Sequence, residues 1–212
     1  MASVKHLIVL SFLMPFTVLA DNYKPFPHKS PPWSLIASLG YGNYKYMFQQ
    51  DGSTALGRLG FAIKIADIRF FFLGLEAGVQ SGNRMRFDIP EEILNEMGGL
   101  PLETTVKPFL DLLITAQSIP LPTLPLSIIA KGGFAYRQMQ FYRESVNNLN
   151  QINMEIQFGF LYQISKHANI NLLYQHIYGG NPNFSFNTLT QKGHIAKIPR
   201  EQAILLGFSI SL

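Results

Sequence analysis

The sequence predicts an all-β fold: an eight-stranded antiparallel up-and-down β-barrel that crosses a membrane with its strands. Three observations favour this fold. Large apolar residues alternate with polar or small residues over about eight segments, which is the period of a strand with two unlike faces. Only 14% of the 212 residues are charged, whereas a soluble domain usually has about 25%. The connections between segments alternate between short and long, as they do in outer-membrane barrels.

Residues 1–20 (MASVKHLIVLSFLMPFTVLA) predict a cleavable secretory signal peptide. Lys5 supplies the basic start, an apolar run follows, and Ala20 fits the cleavage site. An uncleaved anchor helix is disfavoured because the apolar run is short and contains Pro15. We therefore expect the mature chain to begin at Asp21, outside the cytoplasm.

The mature chain divides into a polar, proline-rich extension (residues 21–32) and a single barrel domain (residues 33–212). Eight segments of the barrel domain show a period of two. The predicted strands cover residues 33–46, 55–66, 69–80, 105–116, 126–141, 153–164, 169–178 and 203–212.

The first four predicted strands each have one apolar face. These faces are Leu35, Ala37, Leu39 and Tyr41; then Leu59, Phe61, Ile63 and Ile65; then Phe71, Leu73, Leu75 and Val79; then Val106, Leu110, Leu112 and Ile114. Pro108 lies on the apolar face of the fourth strand, where it removes one ladder hydrogen bond.

The last four predicted strands repeat the pattern. Their apolar faces are Leu126, Ile128, Ala130, Phe134 and Tyr136; then Met154, Ile156, Phe158, Phe160, Tyr162 and Ile164; then Ile170, Leu172, Tyr174 and Tyr178; then Ile204, Leu206, Phe208, Ile210 and Leu212. With an even number of strands, both ends of the mature chain are expected on the periplasmic side.

Charge indicates which face meets lipid. The charged residues of strands two to six share the face opposite the apolar one, and they are Arg58, Lys64, Glu76, Lys107, Asp111, Lys131, Arg137 and Glu155. An Arg or Lys facing lipid at mid-bilayer costs ~2–4 kcal/mol, so a lipid face excludes charge. The apolar face is therefore predicted to point outward. The alternative is a soluble secreted barrel with its two faces reversed.

The charged face then lines a narrow lumen. Eight strands leave an interior that side chains just fill, and unpaired charges there are costly. We expect a plugged lumen, with a gated ion path as the alternative. The expected salt bridges join Lys107, Lys131 and Arg137 to Glu76, Asp111 and Glu155.

Two local motifs point to a family. KGGFAYRQ (residues 131–138) and FGFLYQISKHANINLLYQHIYGG (residues 158–180) resemble small eight-stranded outer-membrane barrels of the opacity and outer membrane protein A type. Gly207, Ile210 and Leu212 are similar to that family's terminal-strand signal for the barrel assembly machinery, although the family usually ends in Phe or Trp. The resemblance implies contact with outer-membrane lipid and lipopolysaccharide.

An enzymatic role is not expected. Some eight-stranded barrels are lipid A deacylases with a His-x-Ser pair, and here His176 is followed two residues later by Tyr178. An aromatic girdle at the membrane interface explains both residues without catalysis. His28, His167 and His194 show no ligand spacing, and the chain has no cysteine. Neither a metal nor a cofactor is therefore predicted.

The outer loops are the predicted place of function. The mature chain has 16 basic and 13 acidic residues and no basic run, which argues against nucleic acid. Residues 90–98 predict a short loop helix. The candidate contact residues for a host surface, lipopolysaccharide or another protein are Arg84, Arg86, Phe87, Phe184 and Phe186. The predicted role is surface binding, adhesion or support of envelope integrity.

Overall fold

The computed structural model describes residues 32–48, 51–96, 99, 101–121, 123–143, 145–187 and 189–212. The predicted signal peptide and residues 21–31 of the predicted extension lie outside the described residues, so these two assignments stay predictions.

The described chain is built almost entirely from strands. They are β1 (Trp33–Tyr44), β2 (Ser53–Ile68), β3 (Phe71–Gln80), β4 (Asn83–Arg86), β5 (Glu103–Val106), β6 (Phe109–Ser118), β7 (Leu126–Phe141), β8 (Leu149–Gln163), β9 (Ala168–Ile177), β10 (Ser185–Asn187), β11 (Lys192–His194) and β12 (Glu201–Ser211). One short helix, α1 (Glu91–Glu96), begins after Pro90 as predicted. Among the described residues, no helix is long and apolar enough to cross a membrane.

Eight of the strands form a closed antiparallel barrel in the order β1, β2, β3, β6, β7, β8, β9 and β12. The ring closes where β12 pairs with β1. The predicted fold class is therefore confirmed.

The connections divide the barrel into two unlike ends. Short turns at residues 69–70, 119–125 and 164–167 lie at one end, together with the start of β1 and the end of β12. There the Leu212 N–H donates to the Trp33 carbonyl (2.9 Å). The first, second, third and fourth outer loops at the other end are residues 45–52, 81–108, 142–148 and 178–200. In outer-membrane barrels the short turns are periplasmic and the long loops extracellular.

The apolar face points outward. Along β6, Leu110, Leu112 and Ile114 are 58%, 60% and 63% exposed, while Leu113 between them is fully buried. Every other strand of the ring also presents large apolar side chains outward. A continuous apolar band of this kind is a lipid surface rather than a water-facing one. The prediction that the apolar face meets lipid is confirmed.

The fourth predicted strand differs from expectation at one point. It divides into β5 and β6, and the register against β7 runs from Val106↔Met139 to Leu110↔Tyr136. Four residues on one side thus match three on the other, which is a β-bulge at Lys107 and Pro108. Because side chains alternate with a period of two, one extra residue reverses which side chains of the strand point inward and which point outward. Val106, predicted to face lipid, is fully buried in the interior.

A charge placed on the apolar band tests the orientation of the faces. Leu112→Arg is expected to lower the free energy of unfolding by ~2–4 kcal/mol, because the guanidinium would enter the hydrocarbon layer. The measurement is urea unfolding of the barrel folded in lipid vesicles, followed by the fluorescence of Trp33, the chain's single tryptophan. Leu189→Arg is the matched control, since Leu189 is 96% exposed in the fourth outer loop. Equal effects of the two substitutions would contradict the lipid-facing assignment.

Candidate functional site

The centre of the lumen is an arginine held between two carboxylates. The Nη1 of Arg58 (β2) donates to Oε1 of Glu76 (β3) at 2.5 Å. Its Nε and Nη2 donate to the two carboxylate oxygens of Asp111 (β6) at 2.8 and 2.5 Å. The second contact is the bidentate arrangement that makes arginine–carboxylate pairs strong and directional. All three side chains are almost fully buried.

A glycine leaves the room that this arginine needs. A Cβ atom on Gly78 (β3) would lie 2.7 Å from Cζ of Arg58 and 2.8 Å from Oδ1 of Asp111. A side chain at this position would displace the guanidinium from its carboxylates. The small residue on β3 is therefore part of the charge network.

Lys131 on β7 completes the first network. Its Nζ lies 3.0 Å from Oε1 and 2.8 Å from Oε2 of Glu76. Glu76 is thus shared by two cations, and Arg58 is shared by two carboxylates. The four side chains balance two positive against two negative charges, as a buried cluster requires.

A second polar network lies beside the first. Oε1 of Glu155 (β8) accepts hydrogen bonds from the side-chain amides of Gln157 (2.6 Å) and Gln175 (2.7 Å). The Gln175 amide also donates to Gln80 (2.9 Å), and Gln80 donates to Glu201 (2.7 Å). Within the described part of the chain, the other oxygen of Glu155 has no hydrogen-bond partner and its carboxylate no ion pair.

Arg137 links the second network to the fourth outer loop. Its Nη1 donates to the carbonyl of Pro199 (2.9 Å), and its Nη2 lies 3.9 Å from Oε2 of Glu201. Its guanidinium also lies 5.7 Å from the centre of the Tyr44 ring. Polar side chains therefore span the lumen from β2 to β12.

Six of the eight predicted lumen charges lie buried in the interior: Arg58, Glu76, Asp111, Lys131, Arg137 and Glu155. Lys64 is half-buried near the periplasmic end, where it pairs with Asp67 (2.6 Å). Lys107 is exposed, so its assignment to the lumen is wrong. The cause is the bulge at Pro108, which exchanges the two faces just before β6 begins.

The predicted pairing is correct for Lys131 and Glu76, whereas Arg137 pairs with Glu201 instead of the carboxylates expected for it. Glu201 was missed because the last strand was predicted to begin two residues later, at Ala203. Ala203 and Leu205 point inward at alternate positions, so Glu201, two residues before Ala203, points inward as well. This alternation is the sequence signal that identifies Glu201 as a lumen residue.

A cluster of buried apolar side chains, which we call the apolar cap, lies at the extracellular end of the lumen. The cap joins buried side chains of the strand ends and the outer loops, and its members are Tyr44, Met47, Met85, Phe87, Ile89, Leu102, Val106, Phe109, Ala135, Met139, Phe141, Val146, Ile177, Ile195 and Ile198. Members come from all four outer loops. The loops therefore fold inward over the barrel mouth.

The cap corrects the prediction for the apolar loop residues. Phe87, expected as an exposed contact, is only 2% exposed and packs 6.0 Å from the ring of Phe141. Phe184 and Phe186 are half-buried against the cap. Burial over the barrel mouth removes these side chains from water, which a pattern of local residues does not reveal.

Two predicted contact residues do lie at the surface. Arg84 pairs with Glu103, and its guanidinium lies 4.5 Å above the ring of Tyr142. Arg86 makes a bidentate contact with Asp51 (2.6 and 3.0 Å). The hydrogen bonds from Arg86 hold the pKa of Asp51 below its usual range. This contact ties the first outer loop to the second.

The periplasmic half of the lumen contains a cavity of about 270 Å³. Ser34, Lys166 and His167 line it near the periplasmic rim, and Glu76 and Lys131 line it at mid-barrel. The cavity thus extends from the short-turn end to the first charge network. Beyond that network lie the second network and the cap.

His176 lies on the outer wall near the extracellular end. Its Nδ1 is 3.3 Å from the side-chain amide of Gln202, and its ring meets the ring of Tyr178 edge-on at 4.5 Å. A neutral amide beside the imidazole gives it no carboxylate to strengthen it as a base. The described residues contain no group of three or more His, Cys, Asp or Glu side chains that could hold a metal ion.

Two residues of the predicted terminal signal, Gly207 and Ile210, lie on opposite faces of β12, and the third, Leu212, directly follows its last residue. Gly207 points inward, where a Cβ would lie 2.6 Å from Oγ of Ser38. Ile210 and Leu212 point outward and are exposed on the lipid side. Their recognition by the assembly machinery stays a prediction.

Removing the shared arginine tests the first charge network. Arg58→Met is expected to lower the free energy of unfolding by ~3–5 kcal/mol, because Asp111 would keep a buried charge without a cation. The measurement is urea unfolding in vesicles. Glu155→Gln is the matched control: this carboxylate has no described ion pair, so its removal is expected to leave stability unchanged or raise it. A loss below ~1 kcal/mol for Arg58→Met would contradict the role given to this residue.

Comparison with known proteins supports the fold at low sequence identity. No protein-family model and no curated protein matches the sequence. Outer membrane protein OprG from Pseudomonas aeruginosa is similar with a TM-score of 0.59 and 12% identity, over 89% of this chain and 99% of that chain.

Two further solved structures match over most of their length. Neisserial surface protein A has a TM-score of 0.49 and 8% identity, over 87% of this chain and 100% of that chain. Ail, the attachment invasion locus protein of Yersinia pestis, has a TM-score of 0.49 and 9% identity, over 86% and 99%. The closed sheet, the exposed apolar band and the likeness to OprG together show that the chain has the fold of the small eight-stranded outer-membrane β-barrels.

Proposed function

We propose that this outer-membrane barrel is neither an enzyme nor a pore, and that it presents a fixed set of outer loops for binding at the cell surface. The apolar cap is the observation that carries the proposal. It fills the extracellular end of the lumen with side chains such as Phe87, Val106 and Ile198, all nearly fully buried.

A closed lumen follows from two successive barriers. An ion entering from the periplasm first meets Arg58, whose guanidinium is already held by both of its carboxylates. It would then have to shed its hydration among the apolar side chains of the cap, which cannot replace the lost water. A pore is the second candidate function, and the periplasmic cavity favours it. The cavity extends only from the periplasmic rim to the middle of the barrel, so it would form about half of an ion path through the lumen.

The outer loops are held to one another as well as to the barrel. The side chain of Asn147 in the third loop exchanges two hydrogen bonds with the backbone of Ile195 in the fourth (2.8 and 3.2 Å). Gln151 does the same with Ile198 and Ala196 (2.8 and 3.1 Å). Loops that are already ordered lose less conformational entropy when they bind a partner. Such an arrangement suits recognition at the surface.

Conductance distinguishes the two candidate functions. The barrel reconstituted in a planar lipid bilayer is expected to show no single-channel steps, and Glu76→Gln is expected to behave the same, because the cap stays in place. A porin reconstituted in the same way provides the positive control. Reproducible steps from the unaltered barrel would contradict the closed lumen and favour the pore.

Surface binding requires a test on whole cells. Bacteria that display the barrel are expected to bind host-cell monolayers or immobilised glycans several-fold better than the same strain without it. Leu189→Asp, at an exposed loop position, is expected to reduce this binding. Lys166→Gln is the matched control, since Lys166 lies at the periplasmic rim and is hidden from the cell exterior. Binding no better than that of the strain without the barrel would reject adhesion and leave envelope integrity as the role.

A further inference from the structure

Uncharged hydroxyl and amide side chains line the periplasmic cavity on several sides. Among them are Thr115 and Gln117 on β6, Ser127 on β7, Asn169 and Asn171 on β9, and Ser209 on β12. Each of these side chains can both donate and accept a hydrogen bond. A ligand hydroxyl group also does both, whereas an anion only accepts and a metal cation needs acceptors alone. The lining is therefore complementary to a ligand that carries hydroxyl groups.

The polar groups lie at successive levels of the wall. Leu161 on β8 pairs in register with Ser127 on one side and with Asn171 on the other. One step nearer the periplasm, Asn169 pairs in register with Ser209, and its side-chain amide donates to the Ser209 hydroxyl (3.3 Å). A molecule that enters from the periplasm would therefore meet hydroxyl and amide groups from the rim to the middle of the barrel.

Two of these polar side chains have an atom without a hydrogen-bond partner in the described part of the chain. The atoms are Oγ of Ser127 and Oδ1 of Asn171, in residues that are only 2% and 3% exposed. A buried polar atom that makes no hydrogen bond destabilises the protein. Because both residues line the cavity, a hydroxylated molecule bound there could supply the missing hydrogen bonds.

The charges around the cavity are balanced within the protein. The ammonium group of Lys131 lies 2.8 Å from the carboxylate of Glu76, and that of Lys64 lies 2.6 Å from the carboxylate of Asp67. The third lysine of the lining, Lys166, is exposed at the rim, where water surrounds its charge. An ion inside the cavity would lose hydration without gaining a free counter-charge. An uncharged ligand is therefore favoured.

The cavity also has an apolar wall and a restricted size. Ile36, Ile129 and Leu161 line it as buried side chains, and the C–H groups of a sugar ring pack well against such a surface. Its volume of about 270 Å³ is close to the lower limit of ligand pockets, about 300–1,000 Å³. The space is sufficient for one sugar unit rather than a sugar chain.

We propose that the periplasmic cavity binds a small uncharged solute with several hydroxyl groups, one sugar unit in size, taken from the periplasm. Thr115, Ser127 and Asn171 form hydrogen bonds with its hydroxyl groups, and the apolar wall packs against its C–H groups. The site lies at the opposite end of the barrel from the outer loops, so it is independent of the function proposed for those loops.

Saturation-transfer NMR tests the proposal, with glucose, galactose and mannitol as the probes. The full barrel is held in phosphocholine micelles, whose head groups contain no sugar, and each probe is titrated to saturation. Thr115→Val keeps the shape of the side chain but removes its hydroxyl, and it is expected to weaken binding several-fold. Asn171→Leu removes a buried amide of similar size and is expected to weaken binding about tenfold, as the loss of one buried hydrogen bond does.

Thr105→Val is the matched control for the loss of a threonine hydroxyl. Thr105 lies on β5 near the extracellular end, where its hydroxyl donates to the hydroxyl of Tyr142 (3.1 Å). This variant is expected to bind the probes as the unaltered barrel does. Heat-modifiable migration on SDS gels confirms that each variant has folded.

Three results would each overturn the proposal. Absence of saturable binding by all of the probes would show that the cavity holds water only. Equal weakening by Thr115→Val and Thr105→Val would show that the sugar binds outside the cavity. Displacement of glucose by inorganic phosphate, abolished in Lys166→Gln, would show that the site binds anions. None of these results bears on the outer loops, whose binding is measured separately on whole cells.

Discussion

The pairing of β1 with β12, from Ser34↔Ser211 to Tyr44↔Glu201, closes the sheet. A bilayer provides no water for unpaired backbone N–H and C=O groups, so a sheet can cross it only as a ring without edges. Closure then separates two environments. The outer face must be apolar and uncharged, and the inner face is left with the polar side chains that the chain cannot place in lipid. The rest of the structure follows from this separation.

The interior satisfies its charges in the middle and excludes water at one end. Around Arg58 the cations and carboxylates balance, and the guanidinium is saturated by two partners. Around Glu155 neutral glutamine amides take the place of a cation. Above both networks the apolar cap consists of hydrocarbon and thioether side chains, and the buried hydroxyl of Tyr44 is the one polar side-chain group among its members. Because the loops supply much of the cap, their positions depend on the packing that fills the extracellular end of the lumen. This packing connects the surface of the protein to the barrel interior.

The alternation of residues predicts most of the barrel, because a period of two is a local property of each strand. It identifies the outward face of β6 through Leu110 and Leu112, and the inward charges from Arg58 to Glu155. It fails where the outcome depends on residues distant in sequence. Phe87 is buried only because loops from four places meet over the barrel mouth, and no local pattern contains that meeting. The pairing of Arg137 with Glu201 likewise depends on which side chains reach one another across the lumen.

Within the fourth predicted strand, the alternation gives the wrong side-chain direction for Val106 and Lys107, and one inserted residue is the cause. Pro108 cannot donate a ladder hydrogen bond, and the extra residue beside it exchanges the two faces. Without the bulge, Val106 would face the polar head-group region, and Lys107 would point into the interior beneath the cap. With it, Val106 joins the cap as a fully buried side chain and Lys107 reaches the outer wall. A single inserted residue thus removes a buried charge from the apolar cap and supplies a cation to the membrane surface.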